Sequence, residues 1–259
     1  MIAQLNNCNW PPLGPLGPLG SPYAQALHDA VAFILNRFDV VAVVAAGSII
    51  RGTPDQASDF DIFVINRQPQ RQRIQRFFHG VPVEFFVNPI AAVNQYFEQE
   101  AKAAKASTAH MFATGFAVFD PEGVVAPLRQ QAKALLAQAP PYAEADLTWL
   151  RYIIADRYEN ARDILAKQPA NANMLLGVAV FDMLRYAFRK ARHFIPRDKD
   201  LLAATASLDL RLADLATAFY ATADIETRQH LAAQIADQTI ETQGFFEWES
   251  ALETIDSAT

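Results

Sequence analysis

One cysteine, Cys8, occurs in the 259 residues, so no intrachain disulfide can form and no cysteine-based zinc site can be built. No apolar run reaches the roughly 20 residues that span a bilayer, and the N-terminus lacks a basic stretch followed by an apolar one. No membrane partner is expected, and a cytoplasmic, reducing location is the default. Several motif loops are also missing: there is no GxxxxGK[ST] phosphate loop, no GxSxG nucleophile elbow and no GxGxxG dinucleotide turn. The five histidines are scattered without metal-ligand spacing. Nor is there a basic excess. Residues 1–139 carry ten acidic and ten basic side chains, so the whole net charge of −6 falls in residues 140–259. Phosphate neutralisation on a duplex needs clustered Lys and Arg, which argues against nucleic acid as a partner. An acidic second half can steer a cationic partner, although solvated outer helix faces account for the same charge.

What the chain does have is apolar substance. At 51% hydrophobic and 19% charged residues it is a globular sequence with ample core, and its length suits two lobes. Residues 1–22 are a proline-rich arm whose Pro-Leu-Gly repeat supplies no regular hydrogen bonding at its prolines. Ser21-Pro22 opens a helix through a hydroxyl cap and a proline in the first turn, with Leu27, Val31, Ile34 and Leu35 on one face. DVVAVVAA (39–46) is a short valine-rich strand, and SDFDIFVI (58–65) is a second. Residues 73–87 read as two strands about His79-Gly80. A helix over about 89–106, a glycine-marked segment at 114–123 and a helix ending near 139 follow. Pro140-Pro141 marks a boundary, giving domains of 23–139 and 140–259. Beyond it only helices are expected, over about 146–167, 171–192, 207–222 and 225–243, with Gly244 as the stop of the last. The expected class is α+β: a small mixed β-sheet with flanking helices, followed by an all-α helical bundle.

The residues from Ala45 to Ile65 carry the chemistry. In a strand, Asp59 and Asp61 emerge on one face about 6.5–7 Å apart, opposite Phe60, Ile62 and Val64. Two neighbouring carboxylates in an apolar strand repel each other and resist burial, and a divalent cation removes both penalties. Magnesium takes oxygen ligands and leaves positions for water and phosphate, and two carboxylates can bridge a pair of ions. Glu84, in VPVEFFV, reaches the same edge if its strand lies alongside. Gly47-Ser48 ends the preceding strand with a turn whose backbone N–H groups suit an anion. Ser48 adds a hydroxyl. Arg51 adds a planar fork for phosphate, or else pairs with Asp55.

This arrangement of GSIIRG, SDFDIFVI and VPVEFFV resembles the DNA-polymerase-β-type nucleotidyltransferase superfamily, in particular its minimal and aminoglycoside (kanamycin-type) branches. The spacing matches, with Asp59 twelve residues after Gly47 and Glu84 twenty-five after Asp59. The resemblance implies that Asp59, Asp61 and Glu84 hold magnesium, two ions in all. It also implies that Gly47, Ser48, Arg51 and Ser58 hold a nucleoside triphosphate, and that a nucleoside monophosphate, AMP by preference, moves to an acceptor hydroxyl with release of pyrophosphate. Glu84 is either a metal ligand alone or also the base for that hydroxyl. HFIPRDK (193–199) resembles a loop of related enzymes that brings a lysine to the nucleotide, which would be Lys199. The acceptor implied is small, hydroxylated and cationic in character, and analogy with the aminoglycoside branch suggests a homodimer. A protein- or RNA-modifying, antitoxin-like enzyme and a non-catalytic nucleotide-binding module are the alternatives.

Three further features have two readings. Arg67, Arg71, Arg73 and Arg76, with no acid among residues 62–83, form either an anion-binding run or a solvated hairpin face. Asp156 and Asp182 lie in apolar helical surroundings, where pairing with Arg157 or Arg185 is the default over contact with an acceptor.

Overall fold

The computed structural model describes residues 2–11 and 22–252, so the Pro-Leu-Gly repeat and the Ser21 cap lie outside the described residues. The chain forms two compact units, Met1–Gln138 and Ala139–Thr259. The arm is not wholly irregular: Ile2–Leu5 forms one helical turn (α1), and Asn9 N donates to Val118 O at 2.8 Å.

In the first unit α2 (Pro22–Arg37) buries Leu27, Val31 and Ile34 together with Ala26 and Ala30, as the apolar period predicts. The strands are β1 (Val40–Ala46), β2 (Phe60–Asn66), β3 (Gln72–Phe78), β4 (Val81–Pro89) and β5 (Phe116–Phe119), in the spatial order β3-β4-β2-β1-β5. Only β2 and β4 run parallel. The sheet is therefore mixed. β1 is buried along its whole length, which explains its unbroken valine and alanine. β3 and β4 join through His79-Gly80, both at positive φ (50° and 79°), the backbone that a tight hairpin needs.

Both faces of the sheet are covered. Phe60, Ile62, Val64 and Phe85 pack in one cluster with the apolar face of α2. Phe63 points the other way, toward Phe112, at a centroid distance of 5.0 Å. Phe112 lies on α4 (Ser107–Thr114), and Phe97, on α3 (Ile90–Lys102), meets it edge-on at 5.9 Å. The single helix expected over 89–106 thus ends early and a second helix follows. Ala104, at φ 53°, turns the chain without any glycine or proline to announce it. The Glu100 carboxylate then accepts from Thr108 N and Thr108 Oγ1, both at 2.7 Å, and so caps α4 from outside the local sequence. α5 (Val125–Leu136) closes the unit.

The second unit contains α6 (Glu144–Asp163), α7 (Pro169–Lys190), a 3-10 turn at Asp198–Asp200, α8 (Leu201–Thr205), α9 (Leu210–Ala221) and α10 (Ile225–Thr239). It has no strand among the described residues. Asp209 and Asp224 cap α9 and α10 by accepting from Leu212 N and Thr227 N. α10 stops at Ile240 rather than at Gly244: Glu241 takes φ 55° and its N–H returns to Ala236 O at 2.9 Å, so the left-handed cap comes three residues early. The chain after it is tied back by Arg151, whose Nε donates to Ile240 O at 2.6 Å. Arg157 pairs with Asp182 between α6 and α7, as the default reading expects, whereas Asp156 has no arginine partner among the described residues and accepts from the neutral Asn160 amide at 3.1 Å. No helix among the described residues is long and apolar enough to cross a membrane.

Candidate active site

The sheet face that carries Phe63 also carries the acidic cluster. β2 starts at Phe60, two residues later than the predicted start at Ser58, so Asp59 stands one residue ahead of the strand and Asp61 within it. The parallel register of β2 and β4 sets Asp61 directly beside Glu84, and the register of β1 sets Ala46, the residue before Gly47, on its other side. One oxygen from each of Asp59, Asp61 and Glu84 can lie within 4.8 Å of the others, and all three residues are half-buried. Three hard oxygen donors converging at this distance are the donor set a magnesium-type ion prefers.

The electrostatics point the same way. Burial first, then the charges of Asp59 and Glu84, push the Asp61 carboxyl up to about 6, and the positive charges of Arg51 and Arg73 oppose the rise. A carboxyl that resists ionisation in this manner is one that a bound cation would stabilise.

Gly47 adjoins the cluster at φ 95°, where a side chain is strained. A Cβ there would lie 3.0 Å from Asp59 O and 3.3 Å from Asp61 Oδ2. The absence of a side chain is therefore what lets the turn lie against both aspartates. From Gly47 the chain makes one turn, with Arg51 N bonded to Gly47 O at 3.2 Å and Thr53 N to Ser48 O at 3.0 Å. The amides of Ser48, Ile49 and Ile50 precede the first bond of that turn and are not used by it. Ser48 Oγ meets Ser58 Oγ at 2.7 Å. Ser58 Oγ also accepts from Asp55 N at 2.8 Å and bonds Asp55 Oδ1 at 3.1 Å, so this buried hydroxyl ties the 53–59 loop to the turn. Asp55 is held by Ser58 and by Ala57 N, and Arg51 makes no ion pair with it among the described residues.

Glu84 has partners that sequence reasoning did not assign. Arg73 Nη1 donates to its Oε1 at 2.9 Å, Gln75 Nε2 reaches the same oxygen at 3.3 Å, and the Arg73 guanidinium lies 3.8 Å above the Phe86 ring. A two-residue turn at His79-Gly80 places Gln75 opposite Glu84 and Arg73 opposite Phe86, so hairpin arithmetic was the available signal. The basic run is accordingly divided in use. Arg67 pairs with Glu122 and Asp39, and Arg76 stacks on Phe33 at 4.8 Å. Lys199 belongs to the second unit, on the turn Asp198–Asp200.

The family model described as a nucleotidyltransferase domain matches residues 28–108, the span from α2 through the whole acidic cluster. The chain carries a nucleotidyltransferase domain. Among solved structures, a nucleotidyltransferase-like protein from Exiguobacterium sibiricum 255-15 is similar over 84% of this chain and 74% of its own, with a TM-score of 0.52 and 13% identity. That likeness is one of fold. A comparison with curated proteins finds no match. In this domain the fold places the Gly-Ser turn and three carboxylates on one edge of the sheet, next to an arginine-buttressed hairpin.

Proposed function

We propose that the protein moves a nucleoside monophosphate, AMP from ATP in the first instance, onto a hydroxyl of a small acceptor and releases pyrophosphate. The observation that carries this reading is the convergence of Asp59, Asp61 and Glu84 within 4.8 Å beside a turn where a Cβ would be strained and tightly crowded. The three carboxylates would hold magnesium, two ions in the full assembly, and bound metal there supplies neutralisation and alignment of the phosphate oxygens. The chain's own groups have separable tasks. Amides of the Gly47-Ser48 turn and the Ser48 hydroxyl receive the β- and γ-phosphates, and Arg51 adds a charge on the same side. The acceptor oxygen attacks the α-phosphorus, the bond from that phosphorus to the bridging oxygen breaks, and pyrophosphate carries away the electron pair. The hydroxyl proton passes to Glu84 or to water. Arg73 and Gln75 hold the Glu84 carboxylate toward the aspartates while this occurs.

The acceptor we favour is a small polyhydroxylated molecule of cationic character, as in the aminoglycoside branch, because the whole acidic excess lies in the second half of the chain. A reducing, cytoplasmic setting fits the lone Cys8. The test is calorimetric and chemical. ATP with magnesium should bind the wild-type chain and lose metal-dependent binding in Asp59→Ala and Asp61→Ala. Labelled ATP offered with aminoglycosides, lincosamides and cell lysate should give pyrophosphate and a labelled product. Undiminished metal-dependent binding in both variants overturns the site.

A further inference from the structure

The second unit holds a cavity of about 540 Å³ that no part of the transfer reading uses. It lies between α6 and the chain that follows α10. Its size falls within the roughly 300–1,000 Å³ of small-molecule sites. Its chemistry is unusually one-sided. Asp156, Glu159, Glu247 and Glu249 line it, and among the described residues no lysine, arginine or histidine does. None of these four carboxylates has an ion-pair partner among the described residues: Asp156 accepts only the neutral Asn160 amide. Two arginines of α6 are engaged with the chain that follows α10. Arg151 donates to Ile240 O and Glu241 O and lies 4.3 Å above Phe246, and Arg162 donates to Gln243 O and lies over Tyr158 at 5.6 Å.

Between the carboxylates the wall is aromatic. Tyr152 and Trp248 line the cavity 5.1 Å apart, and Trp149, which does not itself line it, adjoins them at 5.5 and 5.7 Å, so the three rings form one joined surface that extends beyond the cavity. That surface is open: Trp149 is 50% exposed, and neighbouring Phe245 is 83% exposed. Large rings left in water beside a cavity mark a binding surface more often than a structural one. Gly244 belongs to the same construction. A Cβ there would lie 3.2 Å from the Glu159 carboxyl, so the glycine lets that carboxylate lie against the backbone at the cavity wall.

Aromatic faces attract cations through the ring quadrupole and also accept methylene groups, while carboxylates pair with ammonium groups. We propose that this cavity binds an aliphatic polyamine-type cation, with ammonium groups on the carboxylates and methylene runs over the Trp149–Tyr152–Trp248 rings. Simple metal cations would use the carboxylates but not the rings, and a neutral apolar ligand would leave the carboxylates unpaired. The site stands independently of the transfer reading, because it is built by the second unit alone.

The probe is spermidine, added to the full chain without nucleotide or divalent cation. Two of the three tryptophans, Trp149 and Trp248, lie in the cluster, so intrinsic fluorescence reports on it directly. Spermidine should change the emission saturably, with a matching calorimetric isotherm, and its neutral triacetyl derivative should not. Glu159→Gln together with Glu247→Gln should weaken binding at least tenfold, and Trp248→Ala should weaken it severalfold by calorimetry. Glu98→Gln with Asp214→Asn makes the same charge change on exposed faces elsewhere and should leave binding unchanged, with circular dichroism confirming that every variant is folded. Equal binding of the triacetyl derivative overturns the proposal. So does an effect of the remote pair as large as that of the cavity pair, or the lack of any saturable response.

Discussion

Asp61 and Glu84 are side-by-side partners in the parallel pairing of β2 with β4, and the Glu84 carboxylate is held there by Arg73 at 2.9 Å. Because β3 returns antiparallel on the outside of β4, the same hairpin that delivers Glu84 to the aspartates also delivers the arginine that steadies it.

The stability of the metal-free protein should fall as pH rises through this cluster. The Asp61 carboxyl is raised in the folded chain from an ordinary 3.8 to about 6, so between those values the folded state holds more proton than the unfolded state. Stability then declines with pH over about 4 to 6, and partial exposure limits the loss to about 1–2 kcal/mol. Asp61→Asn removes the penalty and should melt higher than wild type at pH 7 in chelator, and no higher at pH 4. Urea titrations at the two pH values check both arms.

Gly47→Ala should damage both stability and the site. The substitution combines a left-handed backbone at φ 95° with a Cβ 3.0 Å from Asp59 O. A cost of about 1–3 kcal/mol is expected, together with weaker binding of magnesium-ATP. Thermal melts and calorimetry separate the two effects, and an alanine variant with wild-type nucleotide affinity would argue against a close approach at this turn.

Glu100→Ala should loosen α4. Its carboxylate is the partner of both Thr108 N and Thr108 Oγ1, and Thr108 is buried, so truncation strands a donor without water. The expected loss is about 1–3 kcal/mol, with Glu100→Gln losing less because its amide oxygen still accepts. Faster amide hydrogen exchange over residues 104–112 in the alanine variant is the accompanying local signature.

The Arg157–Asp182 pair joins α6 to α7 with each side chain about 30% exposed or slightly less. Either single alanine variant leaves an unpaired, largely buried charge and should cost about 1–3 kcal/mol. The double variant should lose less than the sum of the singles, and a denaturation cycle measures that difference. Strict additivity would mean that the two helices are held by packing alone.

Much of this protein is legible in the order of its residues because the physics involved is local. Uniform valine in β1, the His79-Gly80 turn, and the apolar period of α2, α6, α7 and α10 each depend on neighbours along the chain. The Gly47–Asp59–Asp61 spacing likewise identifies a turn and a strand end that must face one another. Local signals failed where the deciding partner was distant. The break at Ala104 carries no glycine or proline, since a half-buried Glu100 supplies the cap. The helix expected to stop at Gly244 stops at Ile240, because Glu241 takes the left-handed cap there while Arg151, some ninety residues earlier, holds the following carbonyls.

Sequence by itself determined the chemistry available: two aspartates two residues apart, a glutamate in a later apolar strand, and a glycine before them. Only the tertiary structure decided that β4 rather than β3 lies beside β2, which converts three separate carboxylates into a cluster within 4.8 Å. It also decided that Tyr152 and Trp248, far apart in the chain, share one surface ringed by unpaired acids. Strand order and the meeting of distant side chains depend on long-range packing. Such packing leaves no periodic mark on the residues that take part in it.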